Sequence, residues 1–448
     1  IKLALGGITM EKGIKLGFWS IVLLGINAII GSGIFGLPGD AYTDIGPASI
    51  LVLVFCMLLA VSIALCFAEA GSWFDTDGGP YLYAKEAFGD FIGFEVGFMK
   101  WIVSMIAWAT MANFFAVTLS SVWPQAAEPL TKNIIIGILV VGLGIINFMG
   151  MKQSKHLNNI MTIGKLLPIV LFIAVGLFFI KGSNFTPFVI IQKGQSASSA
   201  FVAVSITLFY AFTGFESLAV AAKDMENPKK NVPKALVMVM FVVSVIYMLI
   251  LGISLGVLGN GLAGSATPVA DAAIKMLGPI GGYIITIGTI VSVGGINIAS
   301  SIFTPRSAAA LVEQGLMPRS IRKTDKNGAP YIAIIVSVIG TLLIAWSGSF
   351  TTLSQISVVS RFIQYIPTCL AVLILRKKYA GKDVNFRIPG GAIIPIFAVI
   401  ISILLLIKAG IDEPMKIVWG LGGMIIVVPI YFYMTKVYSK KYNDVEVK

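Results

Sequence analysis

Gly25-Ile26-Asn27-Ala28-Ile29-Ile30-Gly31-Ser32-Gly33-Ile34-Phe35 lies in the middle of the first long apolar segment, where a membrane helix is expected to run unbroken. Gly31 and Gly33 flank a serine, and each glycine weakens a helix by roughly 1 kcal/mol. Pro38 and Gly39 follow shortly after. In hydrocarbon a broken helix exposes amides and carbonyls that lipid cannot satisfy. Breaks therefore occur only where protein or a water-filled cavity supplies partners. This one points to a polar ligand site. Freed amides at the start of the second half-helix suit an anion, and freed carbonyls of the first half suit a cation. A zwitterion such as an amino acid carries both.

The composition sets the break in a membrane. Of 448 residues, 57% are hydrophobic and only 12% are charged, against about 25% charged in a soluble domain. Hydropathy predicts twelve spans of ~20 residues or more: 17–43, 46–73, 90–122, 132–150, 157–180, 199–224, 235–258, 279–305, 330–347, 353–375, 390–408 and 415–436. The first is too long for a cleavable leader and lacks a small-residue cleavage site.

The net charge of +12 reads as topology, not as nucleic-acid binding. Twelve spans put both termini on one side, and 24 of the 33 Lys and Arg residues fall there. Six lie opposite (Lys132, Lys181, Lys193, Lys275, Lys408 and Lys416), and Lys100, Lys165 and Arg361 fall inside spans. The positive-inside rule then predicts cytoplasmic termini in a plasma (inner) membrane protein. Cys56, Cys66 and Cys369 all fall in spans, and no metal set or cofactor motif is legible. The single histidine, His156, reads as a solvated loop residue.

Span six carries a second interruption, Phe209-Tyr210-Ala211-Phe212-Thr213-Gly214-Phe215-Glu216-Ser217, with Gly214 as breaker and Thr213 as polar neighbour. The interrupted spans are five apart, and an odd offset makes the second unit enter the membrane from the opposite side. That predicts two five-helix units in inverted topology, 17–180 and 199–375, with their site at the midplane contact. Two additional helices would occupy 390–436. The competing explanation, glycines that only mark close helix packing, weakens when both breaks fall in corresponding positions.

Several motifs together resemble the amino acid–polyamine–organocation transporters, the L-type amino acid transporter branch in particular. Ile29-Ile30-Gly31-Ser32-Gly33-Ile34-Phe35 is similar to that family's first-helix motif. Glu69-Ala70-Gly71-Ser72, Gly78-Gly79-Pro80-Tyr81 and Glu86-Ala87-Phe88-Gly89 resemble its segment between helices two and three. Gly214-Phe215-Glu216, Glu226-Asn227-Pro228 with Val232-Pro233, and Arg306 with Gly315-Leu316-Met317-Pro318 resemble its later motifs. The resemblance implies an all-α integral membrane protein of twelve transmembrane helices. Its fold would be of the leucine-transporter type, a 5+5 inverted repeat with helices 1 and 6 unwound at mid-membrane, working by alternating access. It implies a substrate carboxylate on the amides of Ser32 and Gly33 and on the Ser32 hydroxyl. The α-amino group would meet carbonyls near Ile29 and Tyr210, with Gly31, Thr213 and Gly214 shaping the breaks.

Ionisable groups at membrane depth are functional candidates by default. In sodium-independent members of the family a lysine on helix five bridges to unwound helix one. Lys165 is the matching residue, against the alternative that it snorkels to the surface. Glu216 begins the second half of span six, where a carboxylate is electrostatically favoured; it either braces that half-helix or gates and relays a proton. Arg361 lies too deep to snorkel and calls for a carboxylate or carbonyl partner. Tyr210 is the preferred aromatic lid among Tyr210, Phe212 and Phe215, and Tyr247 points a hydroxyl toward the Lys165 region. Ser300 and Ser301 would be ligands of a sodium site, which a neighbouring Lys165 would repel.

The expected function is sodium-independent secondary transport of small or medium neutral L-amino acids, by exchange or proton symport. A cationic amino acid or polyamine carrier, with Glu216 reading the extra charge, is the alternative on the same fold. A channel or membrane receptor is the alternative of another class. No nucleophile–base set, metal cluster or phosphate loop is legible, so an enzyme is not expected.

Overall fold

The computed structural model describes residues 17–443, save 75–78, 150–154, 221–224, 314–316, 325–328, 382–383 and 385. Gly78, Gly315, Leu316 and the side chain of His156 lie outside the described residues. The described residues are helical, and no β-strand longer than an isolated bridge, such as that between Thr324 and Pro330, occurs among them. The helices are α1 (Phe18–Ile29), α2 (Ser32–Ile45), α3 (Ser49–Ser72), α4 (Pro80–Phe88), α5 (Asp90–Ser120), α6 (Pro129–Phe148), α7 (Lys155–Gly176) and α8 (Ala197–Phe209). They continue with α9 (Glu216–Val220), α10 (Pro228–Leu258), α11 (Pro268–Leu277), α12 (Pro279–Glu313), α13 (Tyr331–Ser347), α14 (Phe350–Lys378), α15 (Ile393–Asp412) and α16 (Pro414–Asn443).

Among the described residues, nine helical stretches are long and apolar enough to cross a membrane. Phe18–Ile29, Gly164–Phe179 and Tyr331–Ser347 are apolar but shorter. The correspondence with the expected spans is not one to one. The first span divides into α1 and α2, and α2 continues through a 3-10 turn at Gly46–Ala48 into α3 as one apolar stretch. The sixth divides into α8 and α9.

Local chemistry sets the helix ends. Proline opens α4, α6, α10, α11, α12 and α16, at positions where a missing N–H costs nothing. Ser196 and Ser349 cap α8 and α14, their hydroxyls accepting from the amides of Ser199 and Thr352 at 3.1 and 3.2 Å.

Packing follows lateral contacts, because lipid is as apolar as the side chains and gives little drive to bury them. Helix α5 lies along α12, α13, α14 and α6. Helix α10 lies along α1 and α3, and α2 along α8. The outward faces stay apolar: Leu130, Ile134, Ile138 and Ile145 of α6, and Ile393, Ile400, Leu404 and Ile411 of α15, are all exposed. Cys56, Cys66 and Cys369 are free thiols in the interior.

One buried clamp fixes α14 to α3. Glu69, fully buried, accepts from Arg376 Nε and Nη2 at 2.6 Å each and from the Ile388 amide at 2.8 Å. Its neighbour Ser72 donates to Phe386 O at 3.2 Å. Nearby, Glu86 of α4 accepts from Lys378 Nζ at 2.7 Å and Tyr379 Oη at 2.6 Å. These bonds hold the Glu86 carboxyl below the usual carboxylate range. Removing one partner of a buried pair leaves an uncompensated charge, which costs about 3–5 kcal/mol. Arg376→Ala should therefore lower the melting temperature in detergent far more than Lys378→Ala, whose pair is half-exposed; equal shifts would deny the clamp its weight.

Candidate functional site at two helix breaks

Helix α1 stops at Ile29 because the chain turns extended there. Ile30 has φ −70° and ψ 98°, and Gly31 has φ −137° and ψ −149°. Helix α2 begins at Ser32 with no side-chain cap. Its first amides thus lie beside the last carbonyls of α1, the arrangement in which one end favours an anion and the other a cation.

The second break is a 3-10 turn at Tyr210–Phe212 followed by the turn Thr213–Phe215. Gly214 has φ +113°, and a Cβ there would lie 2.5 Å from the Ala28 carbonyl oxygen. Only glycine satisfies both the backbone conformation and that approach. The two breaks touch again at Gly33, where a Cβ would lie 2.6 Å from Ala211 Cα.

Three expected site residues hold these ends together. Lys165 of α7 is buried and donates to Asn27 O at 3.0 Å and Ile30 O at 2.8 Å. It points to the α1 carbonyls instead of snorkelling. Tyr247 of α10 aims its hydroxyl at both breaks, 3.1 Å from Ile29 O and 2.9 Å from Ala211 O. Ser32 Oγ donates to Tyr210 Oη at 3.4 Å. Thr213 turns inward on its own loop, donating through Oγ1 to Tyr210 O at 2.8 Å.

Glu216 starts α9 and closes a separate polar knot. Its Oε2 accepts from the Gly214 amide at 3.0 Å and from Tyr365 Oη at 3.1 Å, and its Oε1 accepts from Arg361 Nη1. Arg361 also donates from Nε to Ser357 Oγ at 3.5 Å. All these groups are buried or nearly so, so each charge is matched inside the protein. Tyr365 escaped the sequence reading, although it stands four residues after Arg361 and so on the same helix face. Ser301, weighed as a ligand of a sodium site that Lys165 would repel, donates its hydroxyl proton to Ile298 O at 2.8 Å.

Exposure is uneven around the breaks. Ser32 to Pro38 are buried, Asn27, Ala28 and Gly214 are half-buried, and Ser217 is exposed. Rings cover the buried side. Tyr210 meets Phe350 edge-on at 6.2 Å, and Phe350 meets Phe114 at 4.5 Å.

Lys165→Met should take the ammonium from the buried Ile30 carbonyl, costing about 1–3 kcal/mol, and so lower the melting temperature. A melting temperature equal to wild type would show that water replaces the ammonium. Gly214→Ala should be worse, since it strains φ and strikes backbone. A well-folded Gly214→Ala protein would contradict the contact with Ala28.

Comparison with known proteins places this arrangement. Residues 16–431 match the family described as amino acid permease. An uncharacterized transporter of Mycobacterium tuberculosis is 31% identical over 423 residues, covering 87% of this chain and 86% of its own. The branched-chain amino acid permease BcaP of Bacillus subtilis is 29% identical, covering 96% and 95%. The serine/threonine exchanger SteT of the same organism is 30% identical, covering 96% and 99%. With the match extending over nearly the whole membrane-embedded chain, this protein belongs to the amino acid permease family of the amino acid–polyamine–organocation superfamily.

Proposed function

We propose that this chain is a sodium-independent secondary transporter of small or medium neutral L-amino acids, working by alternating access as an exchanger or proton symporter. One observation carries the reading: the Lys165 ammonium sits on the Asn27 and Ile30 carbonyls at the end of α1. A tethered cation there does the electrostatic work of a bound metal ion, and it would repel sodium. The substrate carboxylate meets the amides of Ser32 and Gly33, with the Ser32 hydroxyl. The α-amino group meets the carbonyls of Ile29 and Tyr210. The Ile29 oxygen accepts from Tyr247 and has a second lone pair to offer, whereas the Tyr210 oxygen accepts from both the amide and the hydroxyl of Thr213, so there the amino group takes the place of the hydroxyl.

The proposed frame is twelve crossings, with α1 and α2 sharing the first and α8 and α9 the sixth. Residues 17–180 and 199–375 form the inverted repeat, and 390–436 adds two helices. Both termini lie in the cytoplasm of a cell-membrane protein. In that frame the less covered side of the breaks, at Asn27 and Ser217, faces inward. Tyr210 belongs to the outer cover, and Lys165, Tyr247 and Glu216 couple the moving half-helices to their neighbours. The names of BcaP and SteT support an amino acid as cargo. A cationic amino acid or polyamine is disfavoured, because Glu216 is already engaged by Arg361, Tyr365 and the Gly214 amide. Family membership argues against a channel, a receptor or an enzyme.

The test is uptake of labelled alanine and leucine into proteoliposomes, empty or loaded with unlabelled amino acid, with choline in place of sodium. Uptake in choline, reduced by Lys165→Ala, is expected. A sodium requirement would overturn the role of the lysine, and no uptake of any amino acid would overturn the transport reading. Uptake only into loaded vesicles would identify exchange, and uptake into empty vesicles under an inward proton gradient would identify symport.

A further inference from the structure

Glu95 stands apart from the other acids of the buried helices. It lies on α5, five residues inside the end at Asp90 and 3% exposed, a depth of about 7.5 Å at helical rise. Among the described residues, Glu95 alone has both carboxylate oxygens buried without a hydrogen-bond partner. Glu69 and Glu216 show what it lacks. The first accepts from Arg376 and the Ile388 amide, the second from Arg361, Tyr365 and the Gly214 amide.

Neighbours along the helix face show where the carboxyl points. Phe91 and Phe94 meet the Tyr431 ring of α16 at 5.1 and 5.2 Å. A Cβ on Gly423 of α16 would lie 2.8 Å from Met99 Sδ and 2.9 Å from Ile102 Cδ1. Glu95 follows Phe91 by one helical step of four and precedes Met99 by another, so it shares their stripe. Between Gly423 and Tyr431, the fully buried Val427 joins the core of Phe94 and Phe98. The far side of α5 is used differently, with Gly93 and Gly97 abutting Lys85 and Tyr81 of α4. The carboxyl therefore sits in the seam between α5 and α16, where the Tyr431 hydroxyl is the polar group on α16 and leaves both Glu95 oxygens unbonded.

The charged and ionisable groups of the surrounding helices are committed or turned elsewhere. On α4, Lys85 pairs with Asp90 at 3.0 Å and Glu86 with Lys378 at 2.7 Å. On α14, Arg361 and Tyr365 hold Glu216, Arg376 holds Glu69, and the Cys369 thiol lies against Cys66. Arg306 of α12 stands about 200° round its helix from Thr304, the residue that reaches Ser104 of α5 at 3.5 Å. Lys100 stands about 140° round α5 from Glu95. Lys436 of α16 is exposed. An ionised Glu95 would be a buried charge with neither donor nor counter-ion, so the carboxyl is neutral here.

We propose that Glu95 is a proton-binding site, occupied in this conformation, whose proton keeps α16 seated on α5. Releasing the proton to water at the Asp90 end of α5 leaves a carboxylate that needs hydration. Water reaches it only when the seam between α5 and α16 loosens. Ionisation thus works against packing, and rising pH loosens the protein. Helix α16 packs on α5, α14 and α15 and lies outside the proposed inverted repeat, so this proton acts at the rim of the bundle, away from the helix breaks.

The experiment is thermal unfolding of the purified full chain in detergent from about pH 5.5 to about pH 9, with the slope against pH as the readout. The wild-type melting temperature should fall across that range by about 2 °C or more relative to Glu95→Gln and Glu95→Leu, which lack the ionisable group. Glu95→Leu keeps the comparison decisive should a buried glutamine amide itself prevent folding. Parallel curves for wild type and variants would overturn the proposal. Val427→Cys reports on the seam itself. In alkaline buffer it should react with a membrane-permeant maleimide several-fold faster when Glu95 is present than in the Glu95→Gln background, and equal rates would overturn the loosening of α16. Both readouts are independent of cargo, so their failure would leave the transport reading untouched.

Discussion

A carbonyl at the end of an interrupted helix cannot stay bare inside hydrocarbon. The rest of the site is arranged around that constraint. Stopping α1 at Ile29 frees oxygens that water would satisfy in a soluble protein. Here an ammonium from α7 and a hydroxyl from α10 reach across to them. The interruption is stable only while α7 and α10 keep their positions, so the local irregularity is underwritten by global packing. The same logic explains why the two breaks sit in contact. Tyr247 serves an oxygen from each, and Gly214 presses against Ala28 where any side chain would intrude.

Charge is handled differently at the two ends of the site. Lys165 meets only neutral carbonyls, so its positive charge is delocalised over dipoles and stays available to the field of a ligand. Glu216 and Arg361 meet each other, and their charges cancel locally.

Much of this was readable from the chain. Glycine flanking serine in one apolar run, and a second glycine in a later one, pointed to where α1 gives way to α2 and α8 to α9, because backbone requirements leave a mark in residue type. Lys165 was legible because an ionisable residue in a span demands a partner. The need of Arg361 for a partner was legible too, but not the identity of that partner. Glu216 and Arg361 stand 145 residues apart, and no local pattern encodes which helices meet.

The three native thiols are all buried, Cys56 and Cys66 at 0% exposure and Cys369 at 1%. Thiol-reactive probes therefore have little to attack in this conformation, and the natural sequence is already a quiet background for labelling. A single cysteine introduced at exposed Ser217 would report solvent access beside the second break. Any slower reaction of the native thiols would then clock excursions to states in which the helices around them have parted.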